Sequence, residues 1–450
     1  MGEKALIIGG GGREHAMGWS IAQDPSVEIV FYAPGNPGTA MDEKCRNADI
    51  NGAKKENFGS IADLVERESI GMIVVGPEQP LVEGITDFFY ARGFHGIFGP
   101  TAAAAMLEAD KFYSYNLMEW TDVPQADTIL CATTEQAEKA IKKMATSDGV
   151  VIKARGLTGG KGVYVCGSAD EALSLLGKHA AEFKSPEVLI ARRLSGEEFS
   201  VFGISDGENV LPFLISVQDH KRLLNNDTGP NTGGMGAYCP APIADATIVR
   251  QVADKMMTPV VQEMKRRGEE FKGFLYAGCI MTKDGPKIIE YNVRLGDPET
   301  QPLMMMLKGG IYRPIKHALD GKLDEIKLEF KPGAACCVVM AANGYPGKIE
   351  KGYIIGGLEE AANLPGVKIF HAGTGLDEHG EIIGTGGRVL GVTGYSGQPF
   401  NSLTISGIHT AQYNAYGAVR AIDQATREKN NRINFTFRND IAEKAMMPRK

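Results

Sequence analysis

Short apolar runs alternate with helical periodicity over the first hundred residues. Residues 5–8, 27–32 and 72–75 are continuous apolar stretches bounded by turn residues and read as strands, with helical stretches starting near Glu14 and Ser60. Strand–helix–strand alternation predicts a mostly parallel sheet. Each of these strands runs into a Gly- or Pro-containing loop, GGGGREH, APGNPGTA or GPEQPL. Open α/β sheets take ligands at such strand ends.

Further along, residues 101–118 carry a helical pattern, followed by a strand at 128–131, a helix at 135–145 and the glycine-rich VVIKARGLTGGKGVYV. Strands are predicted at 188–190, 199–204, 210–215 and 287–291, with a helix over 248–267. Past Lys331 the chain turns to Gly-rich strands at 334–341, 369–372 and 388–393 and a helix over 409–424. The pattern divides into four units: an N-terminal parallel-sheet α/β domain at 1–105, linker helices and a small lid at 106–190, an α+β body at 191–330, and a β-rich unit with a terminal helix at 331–450. A chain of 450 residues is long enough for several cores.

Composition narrows the classes. Hydrophobic residues make up 43% and charged residues 23%, a globular balance. A net charge of -7 gives no overall field for a nucleic acid, although a local pocket for a small phosphorylated ligand stays open. No apolar run reaches the roughly 18–20 residues of a membrane span. The segment from Lys4 to Ile8 leads straight into glycines without a leader pattern, so the expected location is the cytoplasm. Seven cysteines show no CxxC pair and no disulfide framework.

Four stretches carry chemistry. In Gly156–Val163, GLTGGKGV, glycines let backbone amides approach phosphate oxygens and Lys153 and Lys161 supply charge. It is not a Walker A loop, since no Ser or Thr follows Gly-Lys. In IIEYNVRLGDPETQ, Glu290 and Asn292 lie two apart on a strand and face one side, as oxygen ligands for Mg2+ would, and Asp297 is placed to cap the next helix. QDHKRLLNNDTGPNTGGMGAYCPAP gathers Asp219, His220, Lys221 and Arg222 with many glycines and prolines, which is the composition of a binding loop. GGGGREHA lacks the third glycine of a dinucleotide fingerprint, and Tyr32, Ala33 and Pro34 stand where a ribose-binding acid would end the second strand. A small anion at that helix N-terminus fits better. His15, His220 and His371 are read as orienting or hydrogen-bonding residues rather than as bases.

Taken together, GGGGREHA, APGNPGTA, VVGPEQPLV, QDHKR to GPNTGGMGAY, IEYNVRLGDPETQ, PGAACCVVMAANGYPG, FHAGT and GGRVLGVTG resemble the phosphoribosylamine-glycine ligases, also called glycinamide ribonucleotide synthetases, over nearly the whole chain. The resemblance implies an ATP-grasp fold, the cofactors ATP and Mg2+ (or Mn2+), the substrates glycine and 5-phosphoribosylamine, and a monomer or small homo-oligomer without nucleic-acid or membrane partners. It implies Lys111 and Lys153 on the ATP phosphates, Gly159, Gly160, Lys161 and Gly162 in the lid loop, Glu197 or Glu198 near the ribose, and Glu290 and Asn292 on the metal. Gly10, Gly11, Arg13 and Glu14 with Gly35, Asn36, Gly38 and Thr39 would hold the phosphoribosyl group, Lys221 and Arg222 would lie in the substrate loop, and Asp219 and Arg294 would hold glycine. Arg155, Tyr115 and the run Ala191, Arg192, Arg193 depart from the family pattern, which commonly has an acid, a lysine and an acidic pair there. These departures bear on nucleotide affinity rather than reaction type. The alternatives are an ATP-grasp carboxylate-amine ligase with another acceptor, and a relative that binds nucleotide without turnover.

Overall fold

A computed structural model describes residues 2–145, 148–158, 162–400 and 405–447. Its N-terminal unit is a parallel sheet of β1 (Glu3–Gly9), β2 (Val27–Pro34), β3 (Cys45–Asn47), β4 (Met72–Val75) and β5 (Ile97–Phe98), in the order β3-β2-β1-β4-β5. β1 is buried from Ala5 to Gly9, as a central parallel strand covered on both faces should be. Helices α1 (Gly12–Ala22) and α2 (Pro37–Met41) begin in the loops that leave β1 and β2.

The helical stretch after Thr101 is two helices, Ala102–Ala109 and Lys111–Trp120, divided at Asp110. Asp110 takes extended backbone angles and its carboxylate accepts from the amides of Phe112 and Tyr113, so it stops one helix and caps the next. The small lid follows as an antiparallel sheet of β6 (Thr128–Cys131), β7 (Val150–Ala154), β8 (Val163–Cys166) and β9 (Val188–Arg192), ordered β6-β9-β7-β8. Two helices, Thr134–Met144 and Ala169–Phe183, cover it around a separate core that includes Ile141, Ile152 and Leu176.

The body opens with β10 (Glu197–Asp206) and β11 (Val210–Pro212). The expected strand over 210–215 ends at Pro212, which offers no amide to the ladder, and beyond it isolated bonds to β10 remain, from the Phe213 amide to Phe202 and between Val217 and Ser200. It then leaves the body through β12 (Gln218–Asp219), a hairpin of β13 (Arg222–Leu224) and β14 (Thr228–Asn231), and β15 (Gly236–Cys239). The expected helix over 248–267 runs from Ala246 to Arg266 but carries a π-turn at Ala253–Met257. Pro259 follows that turn, and its missing amide accounts for the local slip in hydrogen-bond register. β16 (Lys272–Thr282) and β17 (Gly285–Asn292) complete a body sheet ordered β11-β10-β16-β17.

The C-terminal sheet is built on β18 (Ala334–Ala342), β19 (Val367–His371) and β22 (Arg388–Ser396), with the small pair β20 (Thr374–Leu376) and β21 (Ile382–Gly384) beside it. It also takes in β12 and β15, in the order β12-β15-β18-β22-β19, while β23 (Phe435–Thr436) pairs with β18. The loop segment 218–239 is thus seated on the C-terminal unit although it belongs to the body in sequence. The terminal helix, Ser406–Asn430, is longer at both ends than the expected 409–424 and packs its apolar face on β18 and β22. Among the described residues no helix is long and apolar enough to cross a membrane.

Candidate active site

Strand alternation puts Glu290 and Asn292 on one side of the end of β17, as their spacing predicts. Burial alone would push the Glu290 carboxyl up, but Lys221, Lys153 and Lys111 together hold it below its ordinary range. No hydrogen bond to that carboxylate is present among the described residues, so its oxygens face three ammonium groups and the cleft. The Lys153 Nζ donates to the Ile289 carbonyl at 2.9 Å and the Lys111 Nζ to the Gly156 carbonyl at 3.1 Å. Both lysines sit below the usual ammonium range, mainly through burial, with Glu290 as the chief opposing charge. An anionic ligand would relieve that desolvation.

Arg294 continues the same strand end. Its Nη2 donates to Glu108 at 2.8 Å and to the Asn292 Oδ1 at 3.0 Å, and its Nε to Glu78 at 3.3 Å. Asn292 therefore presents an amide oxygen already oriented by a guanidinium. Glu108 also accepts from the Val293 amide at 2.8 Å. An O-donor set of Glu290 and Asn292 beside lysines fits a hard divalent cation that shares its shell with phosphates. Asp219 and Lys221 face this cluster from β12 and the residues after it, and the Lys221 Nζ pairs with Glu198 at 2.8 Å. Asp219 is raised by burial, and Glu299, buried next to it, is raised to about 7 by burial and then by Asp219. Glu198, Asp219, Lys221, Tyr276 and Glu290 line one cleft. Glu197 precedes Glu198 on β10 and points to the opposite face.

The N-terminal loops close on the far side of Arg294. Arg13 donates to the Leu295 carbonyl at 3.0 Å and to Glu14 at 2.8 Å, while Glu14 accepts from the Gly11 amide at 2.8 Å. A Cβ on Gly10 would lie 2.4 Å from the Gly35 carbonyl, so only glycine lets these two loops touch. The Asn36 side chain donates to the Gly10 and His371 carbonyls at 3.0 and 2.9 Å and caps α2 through the Thr39 amide. Thr39 is fully buried, and its hydroxyl lies 2.7 Å from both the Asn36 carbonyl and the Asn47 Oδ1 on β3. A Cβ on Gly38 would strike the His371 ring at 2.4 Å. In this group Asn36 and Thr39 shape the loop, whereas Gly10, Gly11 and Gly35 let the two loops and the Glu14 and Asn47 side chains pack closely.

Two expectations change, the Asp297 cap and the His220 hydrogen bond. Asp297 does not cap the next helix, which starts from Glu299 without a side-chain cap. Asp297 instead accepts from Gln301 at 2.8 Å and pairs with Arg388 at 3.2 Å. Arg222 is exposed and its Nη1 donates to the Gly229 carbonyl at 2.8 Å, which closes its own hairpin. His220 forms no side-chain hydrogen bond, because both ring nitrogens are buried without a partner. His15 and His371 do bond: the His15 Nε2 meets Asp42 at 3.0 Å, its Nδ1 accepts from the His371 amide at 2.9 Å, and the His371 Nδ1 meets Thr374 at 3.2 Å. Gly159, Gly160 and Lys161 lie outside the described residues, while the Gly162 amide donates to Thr158 at 2.9 Å.

At the positions expected to depart from the family pattern, Arg155 binds both oxygens of Asp110 and reaches Glu187 at 2.8 Å. The Tyr115 hydroxyl donates to the Thr128 carbonyl at 3.2 Å. At the end of β9 the Arg192 amide donates to the Asp127 carbonyl at 2.8 Å and its side chain pairs with Asp127 at 3.0 Å. Sequence reasoning missed Glu78, Glu108, Glu299 and Arg388. The signal for Arg388 was a lone cation opening an apolar strand after two glycines, and for Glu78 an acid in a strand-end loop.

Known proteins align with this chain over nearly its whole length. The N domain of phosphoribosylglycinamide synthetase matches residues 3–108, its ATP-grasp (A) domain residues 109–300, and its C domain residues 335–444. A phosphoribosylamine–glycine ligase of Rhodopirellula baltica is 44% identical over 426 residues, which is 93% of this chain and 94% of that one. One from Neisseria meningitidis is 41% identical over 98% of this chain and 99% of its own. The crystal structure of phosphoribosylamine–glycine ligase from Thermotoga maritima superposes with a TM-score of 0.76 at 29% identity, covering 97% of this chain and 99% of that one. Biotin carboxylase from Campylobacter jejuni, at TM-score 0.67 and 14% identity over 98% of both chains, shares the fold. With all three of its domains present in order, the chain belongs to the phosphoribosylglycinamide synthetase family.

Proposed function

We propose that the chain ligates glycine to 5-phosphoribosylamine at the expense of ATP, giving glycinamide ribonucleotide, ADP and phosphate for purine biosynthesis. The observation that carries this reading is the convergence of Lys111, Lys153, Lys221 and Arg294 on Glu290, with Asn292 bonded to Arg294 and Asp219 lining the same cleft as Glu290. A carboxylate oxygen is a poor leaving group, so amide formation has to pass through an activated acyl species. A glycine carboxylate oxygen attacks the γ-phosphorus of ATP, the bond to the β-phosphate oxygen breaks, and ADP departs from glycyl phosphate. The ribosylamine nitrogen then attacks the acyl carbon, the carbon–oxygen bond to phosphate breaks, and the amine proton passes to solvent.

Lys111 and Lys153 hold the phosphates and offset the charge that spreads over the transferred group. Arg294 takes the glycine carboxylate through Nη1, whose one hydrogen bond among the described residues is to the Leu295 carbonyl at 3.4 Å, and Asp219 takes the glycine ammonium. Glu290 and Asn292 would hold Mg2+ or Mn2+, which would supply charge neutralisation for the phosphates. Glu198 lies on the nucleotide side, and Gly10, Gly11, Gly35 and Gly38 frame the phosphoribosyl end. The working units are 1–105, 106–190, 191–330 and 331–450, acting in a monomer or small homo-oligomer. Seven buried, unpaired thiols suit a reducing cytoplasm. Incubation with ATP, glycine and freshly generated phosphoribosylamine, followed by mass analysis, tests the reading. Glycinamide ribonucleotide is the expected product; ligation to a different amine, or ATP binding without any product, contradicts it.

A further inference from the structure

The loop that carries Asp219 and Lys221 is held by a part of the chain that the proposed reaction does not use. The β13–β14 hairpin is exposed along nearly its whole length. Its strands share two register pairs, Arg222 with Asn231 and Leu224 with Thr228, with a shift between them. A two-stranded ribbon of that size has little stability of its own.

The C-terminal segment supplies what the ribbon lacks. Arg438 is 1% exposed and donates to Asp227 at 2.7 Å, to the Arg222 carbonyl at 3.2 Å, and to the two Asp440 oxygens at 2.7 and 2.6 Å. Asp440 in turn accepts from the Asn226 amide at 2.8 Å, and the Asn439 amide donates to Asn225 at 2.9 Å. Lys444 places a second cation on Asp227. A guanidinium so far from water is costly unless carboxylates meet its donors. Here one carboxylate comes from the hairpin and one from the tail, so the full set of partners for the Arg438 donors exists only where the two segments meet. Both ends of the hairpin close on Lys221, whose carbonyl accepts from the Thr232 amide at 2.8 Å and from its hydroxyl at 2.9 Å.

We infer that Arg438 is a positioning residue: the Arg438–Asp227–Asp440 clasp fixes the 222–231 hairpin and, through its base, sets Asp219 and Lys221 at the glycine half of the cleft. The glycine part of this inference rests on the function proposed above; the clasp itself does not.

Full-length Arg438→Ala, Arg438→Lys and Asp227→Asn proteins test it by two independent readouts. Amide hydrogen exchange across residues 222–231 is expected to accelerate about tenfold or more in Arg438→Ala and Asp227→Asn, with Arg438→Lys between them and the parent. The KM for glycine is expected to rise about tenfold in the same order, while the KM for ATP stays within about twofold. Unchanged exchange in the hairpin overturns the clasp, and an equal rise in both KM values overturns its link to glycine. If Arg438→Ala does not fold, Asp227→Asn, whose substitution lies on the exposed hairpin, decides the matter. A parent protein without glycine-dependent turnover removes the proposed function, while the exchange arm still decides the clasp.

Discussion

Acid should loosen this protein through His220. The residue is 1% exposed, has no partner on either ring nitrogen, and faces Arg438 and Lys444. Burial first, and those two cations second, lower its pKa from 6.5 to about 4. Between those values the unfolded chain binds a proton that the folded chain refuses, so stability rises with pH and is lost as pH falls from 6.5 toward 4. At pH 5 the two pKa values imply a loss of about 2 kcal/mol relative to pH 7.5 from this group alone. His220→Leu removes the titrating group and two unpartnered polar atoms while keeping a similar volume, so its stability at pH 7.5 should match or exceed the parent. Urea unfolding at pH 7.5 and pH 5 measures both effects. The variant should lose about 2 kcal/mol less than the parent on acidification. Equal losses in the two proteins would refute the argument, since His220 would then be protonated in neither state or in both.

Three further outcomes follow from the same geometry. Arg155→Glu exchanges the pairs with Asp110 and Glu187 for a cluster of three carboxylates that includes both of them, so the KM for ATP should rise about tenfold and fall again as salt screens the repulsion; a rise insensitive to salt would show that charge is not the cause. Gly38→Ala puts a Cβ 2.4 Å from the His371 ring and should destabilise the protein by about 1–3 kcal/mol in urea titrations, with an unchanged midpoint counting against the contact. Glu108→Gln should leave ATP binding near the parental value and raise the KM for glycine severalfold, because Arg294 loses one of its two carboxylate partners. Loss of ATP binding in that variant would place Glu108 elsewhere in the mechanism.

The N-terminal strands and the Glu290–Asn292 pair were legible because each rests on a local period, continuous burial in one case and alternation in the other. The split at Asp110 and the π-turn before Pro259 carry local signals too, but hydrophobic periodicity runs through both and hides them. Glu78 and Glu108 could not be found this way. Their role depends on meeting Arg294 across 216 and 186 residues, and nothing near either residue encodes that encounter. The seating of β12 and β15 on the C-terminal sheet is hidden for the same reason, since a two-residue strand has no period to read. His220 misled because its neighbours in sequence are charged, while its neighbours in space leave it without a hydrogen bond.

The acyl phosphate is the centre of the account, and isotope transfer tests it directly. Glycine labelled with 18O in its carboxylate is supplied with unlabelled ATP and phosphoribosylamine, and the released phosphate is analysed by mass. One 18O atom in each phosphate, one retained in the amide carbonyl, and loss of both signals in Glu290→Ala are the predicted result. Unlabelled phosphate alongside normal amide formation would mean that the glycine carboxylate never attacked the γ-phosphorus, and the mechanism assigned to this cleft would be wrong.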